Sequence, residues 1–143
     1  MTPTEFIAEQ APERQAFLTA LHNIILKTNT KVVPEVAPMM GKEIIQYKLY
    51  PMGVNATMSP KESSRYFVYG LASTKNYMSI HAMPMYAHKP IHEKFSKLLK
   101  KAKFQKGCIN FKNVDEMPLD IAEQFMAACA EIDWAAVMKK YGK

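Results

Sequence analysis

The first half of the chain shows two hydrophobic periods in succession. From Pro12 to Lys27 apolar residues recur every three or four positions, which predicts an amphipathic helix with proline at its first position. Pro34 and Pro38 interrupt the next stretch, and we assign no regular element there. From Ile44 to Tyr50 an apolar set of side chains at odd-numbered positions alternates with a more polar set at even-numbered positions, which predicts a half-buried strand. The apolar face of the helix consists of Phe17, Leu21 and Ile24.

The middle of the chain predicts a pair of strands. Arg65 to Ala72 is apolar at both parities and rich in aromatic and branched residues, as in a central strand that is covered on both faces. Ser73 to Asn76 forms a short connection to a second strand, Tyr77 to Ala82, so an antiparallel hairpin is expected. A loop rich in proline, glycine and asparagine, residues 51 to 64, precedes the pair.

The last third of the chain is mostly helical by pattern. Ile91 to Lys103 has one apolar and one lysine-rich arc, and a short strand, Cys108 to Phe111, follows Gly107. A helix begins at Pro118, and another apolar stripe runs from Trp134 to Tyr141. The order of elements predicts an α+β fold, in which a small antiparallel or mixed sheet is packed by helices in two layers. We expect a single domain over residues 1–143.

Composition supports an ordinary folded domain. The chain has 143 residues, of which 48% are hydrophobic and 22% charged, so one core without stabilising crosslinks is expected. No secretory signal or long apolar run is evident, which argues against export and membrane insertion. Cys108 and Cys129 are far apart and form no disulfide framework, so we expect reduced thiols in the cytoplasm.

Three histidines are the candidate metal ligands. His81, His88 and His92 lie in a segment that also holds several methionines, and imidazole with thioether suits iron, copper(I) or zinc. The alternative is that the methionines fill the core and the histidines lie apart, because prolines break the regular spacing of the segment.

Positive charge is the second candidate feature. The net charge is +6, and six lysines lie between Lys94 and Lys106. These lysines could bind an anion, but a solvated helix face is the simpler explanation, and the nearby aromatic residue belongs to the apolar face. We therefore do not expect a nucleic-acid partner.

The third candidate is a site rich in aromatic residues around the sheet. Tyrosines concentrate in the predicted strands, and together with polar neighbours they could line a concave ligand site. Tyrosine is also simply a good strand residue, which is the alternative. Exposed aromatic residues on an open sheet face would favour a homodimer. The candidate ligand-binding residues are Tyr47, Arg65, Lys75, Asn76 and Tyr77.

Catalytic motifs give little support for an enzyme. The sequence has no glycine-rich phosphate loop, no nucleophile elbow and no His-Glu-x-x-His motif. Cys108 could act as a nucleophile with a distant histidine, but a strand cysteine is more often structural.

Three blocks resemble the YdhG-like family of small bacterial domains, which is largely of unknown function. They are GKEIIQYKLY, YFVYGLASTKNYMSIH and KGCINFKNVDEMPLDI, and the similarity runs from about Phe17 to Ala130. The resemblance implies an α+β fold, and one branch of the family is described as a frataxin-like iron chaperone. Our leading hypothesis is a non-enzymatic bacterial domain that binds a small ligand or a protein partner through its sheet. An iron-binding chaperone is second, and a small enzyme is third.

Overall fold

Short helices and strands follow one another along the chain. The computed structural model describes residues 1–49 and 67–133. The helices are α1 Pro3–Ala8, α2 Pro12–Thr28, α3 Met83–Ala87, α4 Lys89–Leu98 and α5 Leu119–Ala130. The strands are β1 Val32–Met39, β2 Lys42–Leu49, β3 Tyr69–Ser73, β4 Met78–Ala82, β5 Lys103–Phe104 and β6 Cys108–Phe111.

The six strands form one sheet in the order β1-β2-β3-β4-β6-β5, and every neighbouring pair is antiparallel. The predicted α+β fold with an antiparallel sheet is confirmed. The strand expected between Arg65 and Ala72 is observed as β3, which lies centrally and pairs with β4 as a hairpin. The bounds of β6 agree with the prediction.

Strand β1 is the main element that the sequence pattern did not predict. It is an edge strand, and its register with β2 places Met40 and Gly41 in a two-residue turn with positive φ at both positions. In such a hairpin the two residues that flank the turn form a hydrogen-bonded pair, and hydrogen-bonded pairs then alternate with non-hydrogen-bonded pairs along the strands. Pro34, Val36 and Pro38 belong to non-hydrogen-bonded pairs, so their backbone nitrogens point away from β2. The prolines therefore remove no hydrogen bond from the sheet, which is why a strand with two prolines is stable at this edge.

The helices cover one face of the sheet, which we call the covered face. Residues of all five helices and alternate residues of the strands form one hydrophobic cluster. Leu18, Leu21 and Ile25 of α2 are almost fully buried in it. The Phe95 ring of α4 and the Phe125 ring of α5 meet edge to face with centroids 5.2 Å apart. These contacts fix the helices on the sheet.

Three helix boundaries illustrate how local chemistry and pairing decide an element. The short helix α1 was not predicted; Thr2 and Glu5 form a reciprocal capping box at its start. Helix α4 ends at Leu98 instead of Lys103, because Lys103 and Phe104 pair with β6 as strand β5. Helix α5 begins at Leu119, one residue after the predicted start at Pro118. The predicted loop at 51–64 and the stripe from Trp134 lie outside the described residues.

The opposite side of the sheet, the second face, carries polar side chains in a buried setting. Among the described residues the only buried polar or charged side chains are Gln46, Lys48 and Ser79, and all three lie on this face. Each has a partner: the Gln46 amide donates to the Pro38 carbonyl at 3.3 Å, Ser79 donates to Asn110 at 2.6 Å, and Lys48 pairs with Glu35 at 2.8 Å.

Candidate ligand-binding groove

Tyr47, one of the predicted ligand-binding residues, lies in the core. Its side chain is fully buried on the covered face, and its hydroxyl is 2.7 Å from His22 Nδ1. Burial raises the pKa of the Tyr47 hydroxyl and lowers the pKa of the His22 imidazole, so both groups are held neutral. In this structure Tyr47 therefore stabilises the packing of α2 on the sheet and is not part of an exposed face.

Lys75, Asn76 and Tyr77 are exposed in the turn that joins β3 to β4. Four residues of β3 separate this turn from the level of Tyr47, a distance of about 14 Å at ~3.4 Å per residue. The structure thus places Tyr47 apart from the other three residues. Arg65, the fifth predicted residue, lies outside the described part of the chain.

Arg14 of α2 holds the β3–β4 turn in place. Its guanidinium donates to Ser73 Oγ at 2.8 Å, to the Thr74 carbonyl and, at 3.4 Å, to the Lys75 carbonyl. Within residues 1–49 and 67–133 these three bonds use three of its five N–H donors, and two donors remain for other partners. These hydrogen bonds connect the predicted turn to α2, a contact that the sequence pattern did not predict.

The three candidate metal ligands occupy different positions. His81 lies on β4 and faces the second side of the sheet, and His88 is exposed at the junction of α3 and α4. His92 lies in α4, where its Nε2 is 3.0 Å from the Gln105 carbonyl. In the described residues no three His, Cys, Asp or Glu side chains form a group that could hold a metal ion. Iron binding remains a prediction from the family resemblance.

His81 and Cys108 are direct neighbours across strands β4 and β6. The amide of Ala82 donates to the Gly107 carbonyl at 2.9 Å, so the adjacent pair His81 and Cys108 is the non-hydrogen-bonded type, whose side chains come close together. Burial lowers the pKa of His81 and raises that of Cys108. The thiol donates to Gln105 Oε1 at 3.1 Å. This is a neutral pair, not a thiolate activated for nucleophilic attack.

A groove of about 540 Å³ lies beside the β3–β4 turn. Its walls come from the first half of α2, the start of β4, the loop after β6 and the first residue of α5. Its volume falls in the range of small-molecule sites, roughly 300–1,000 Å³. The lining residues are Glu13, Arg14, Ala16, Phe17, Ala20, Met78, Lys112, Asn113, Val114 and Leu119.

The floor of the groove is apolar and fixed by core packing. The Phe17 ring meets the Phe111 ring edge to face at 5.8 Å, and Met78, opposite Phe111 in the sheet, is almost fully buried. On the rim, the Val114 side chain is 48% exposed. A valine exposed next to other apolar side chains gives an apolar ligand a surface to contact.

The loop after β6 forms the second wall of the groove. Asn113 Oδ1 accepts from the Glu116 amide at 3.2 Å, while Glu116 Oε1 accepts from the Lys112 amide at 2.8 Å. Met117, which follows, is fully buried and anchors the loop in the core. The exposed Lys112 makes no ion pair with any side chain that the structure describes. Two cations, Arg14 and Lys112, and one carboxylate, Glu13, therefore border the apolar floor.

Comparisons with protein-family models, curated proteins and solved structures found no match for this chain. The resemblance to the YdhG-like family therefore stays a prediction. The longest helix in the described residues has 17 residues, and none of these helices combines the length and apolar character needed to cross a bilayer.

Proposed function

We propose that this chain is a small-molecule-binding domain whose groove between α2 and the loop after β6 takes a ligand with an apolar body and an anionic end. The observation that carries the proposal is the combination of an apolar floor with two cations, Arg14 and Lys112, against one carboxylate, Glu13, at its border. Apolar walls with a few fixed polar groups are the usual composition of such sites.

The two parts of the groove have separate roles. Phe17, Val114 and Leu119 contact the apolar body, which gains about 25 cal/mol for each Å² removed from water. Lys112 and the remaining donors of Arg14 attract the anionic end. Since Arg14 also holds the Thr74 and Lys75 carbonyls, a ligand contacting it lies next to the predicted residues of the turn. The proposal places the domain in the cytoplasm, which its two free cysteines support.

The first experiment compares phenylacetate with the neutral phenylacetamide by amide chemical shifts in NMR. A probe with ten non-hydrogen atoms at about 0.4 kcal/mol per atom binds with a Kd on the order of 1 mM. We expect saturable shifts around Phe17 and Val114 with the acid and weaker shifts with the amide. Equal affinity for both probes contradicts the anionic part of the proposal, and no saturable shift in the groove with either contradicts all of it.

Two variants locate the binding. Ala16 is exposed and lines the groove, so Ala16→Trp fills it without disturbing the core and should abolish the shifts. Asn23→Trp adds the same ring at an exposed position of α2 outside the groove and should change nothing. Lys112→Gln should reduce the preference for the acid over the amide, while the exposed Lys97→Gln, which is not a groove residue, should keep it.

A further inference from the structure

The net positive charge of the chain comes from one segment. Residues 89–112 contain eight lysines and one glutamate, a formal charge of +7. The whole chain carries +6, so the remainder carries −1. The segment comprises α4, β5 and β6. A concentration of like charge in so few residues raises the local potential and attracts anions to this corner of the molecule.

Residues of that segment and of α3 line a second pocket, separate from the groove. It has a volume of about 360 Å³ and is lined by Met85, Tyr86, Lys89, His92 and Lys106. It lies at the end of the β4–β6 ladder where Ala82 meets Gly107, whereas the groove lies at the end where Met78 meets Phe111. About four residues of strand, or ~14 Å, separate the two levels.

The lining of this pocket is held by contacts on two sides. Tyr86 lies against the turn before β6, with its ring carbon 3.6 Å from the position that a Cβ would take on Gly107. His92 Nε2 donates to the Gln105 carbonyl at 3.0 Å, and the ring packs edge to face on Phe104. Because Nε2 carries that hydrogen, Nδ1 is the acceptor nitrogen of the ring and can receive a hydrogen bond from a hydroxyl group.

The two lysines of the pocket have little competition from carboxylates. Lys106 makes no ion pair with any described residue, and Lys89 is 4.0 Å from Glu93 in a pair whose side chains are both largely exposed. An exposed pair at that distance contributes little, so Lys89 can exchange it for a stronger anion. The pocket therefore has two ammonium groups and an imidazole on its walls.

We propose that this pocket binds the phosphate group of a small phosphorylated molecule. A phosphate monoester carries nearly two charges and three acceptor oxygens, so it can accept hydrogen bonds from Lys89 and Lys106 together, which a single carboxylate does less well. A hydroxyl group of the same small molecule can donate to His92 Nδ1. Lysine binds phosphate as a point charge. The concave shape and the volume of the pocket fit a small molecule, and the apolar Met85 and the Tyr86 ring provide a surface for its carbon atoms.

The test uses calorimetry and amide chemical shifts with glycerol phosphate, inorganic phosphate and glycerol. We expect saturable binding of both phosphates, with shifts at Tyr86 and Lys106, and none with glycerol. The double variant Lys89→Gln with Lys106→Gln should weaken the binding of glycerol phosphate about tenfold, because two exposed charge contacts are lost.

A matched control removes the same charge from the same segment. Lys100 and Lys101 are exposed and do not line the pocket, so Lys100→Gln with Lys101→Gln should weaken binding less than about threefold at physiological salt, where charges act over ~8 Å. Equal losses in both double variants, or no saturable binding of glycerol phosphate, would overturn the proposal. Tighter binding of a single-stranded oligonucleotide, equally sensitive to both double variants, would assign the charge to nucleic acid instead. Phenylacetate binding in the groove remains a separate result, because its shifts lie at the other end of the ladder.

Discussion

The same strands form two very different faces. On the covered face, buried side chains such as Leu71 and Ile80 pack under the helices, and the buried tyrosines Tyr47 and Tyr69 have hydroxyl partners on α2 and just after it, His22 and Asn29. On the second face three buried side chains are polar or charged, and the apolar cluster is small, formed by Ile44, Phe67 and Ala72.

This difference between the faces shows how each one contributes to the free energy of folding. Burial of apolar area on the covered face provides most of the folding free energy, because that term is roughly proportional to the area removed from water. Paired polar groups on the second face contribute less net stability. Removing one partner is nevertheless costly in folding free energy, because the other group is then buried without a hydrogen bond. Stability should therefore depend on side-chain volume on the covered face and on close fit and pairing on the second.

The largest expected effect is on the covered face. Leu21→Ala removes a fully buried side chain of α2 and should lower the free energy of unfolding by about 2–5 kcal/mol. Leu98→Ala, at a position that is 48% exposed in α4, is the control and should cost less than about 1 kcal/mol. Urea unfolding measures both. Similar losses in the two variants would contradict the assignment of the core.

The second-largest expected effect on stability is at Gly70 on the second face. A Cβ on Gly70 would lie 3.0 Å from Ile44 Cδ1, 3.1 Å from Phe67 Cε2 and 3.3 Å from His81 Cβ. Gly70→Ala should therefore destabilise the protein by about 1–3 kcal/mol through overpacking. The nearest contact at Gly107 is an ordinary 3.6 Å, so Gly107→Ala is the matched control. A Gly70→Ala protein as stable as Gly107→Ala would show that this face is not closely packed.

The smallest expected effect is the dependence of stability on pH. It comes from two histidines, one on α2 against the covered face and one on the second face. Burial lowers the folded-state pKa of both His22 and His81, so below their ordinary pKa, about 6.5, the unfolded chain binds more protons than the folded one. Stability should fall from about pH 7.5 to about pH 5.5. His22→Asn and His81→Asn should each reduce this slope, measured by urea unfolding at both pH values. A wild-type slope of zero or of opposite sign would refute the shifts.

Local patterns predicted the parts of the fold that depend on neighbouring residues. The β3–β4 hairpin and helix α2 follow from alternation and helical spacing over a few positions. Strand β1 was missed because proline usually interrupts strands, and only the pairing with β2 shows that both prolines face outward. Helix α4 was extended too far because its apolar spacing continues to Ala102, whereas the pairing of β5 with β6 takes the chain out of the helix.

The candidate sites depended on contacts that no local pattern contains. Phe17 was predicted as part of an apolar face, but its position in a groove requires the loop after β6 to lie beside α2. Arg14 carried no signal in the sequence, since its role comes from carbonyls about sixty residues away. For Tyr47, the alternative of a simple strand residue describes the observed position. The lysine-rich segment was visible in the sequence, although its pocket was not.

The two edge strands, β1 and β5, determine whether copies of this chain can pair through their sheets. Outward-facing amides allow a free strand to recruit another chain, which is how sheets grow into fibrils. On β1, two of the three outward nitrogens between Val33 and Met39 belong to proline, and β5 at the opposite edge has only two residues. The molecule can thus keep an open sheet at high concentration without offering either edge as a template for aggregation.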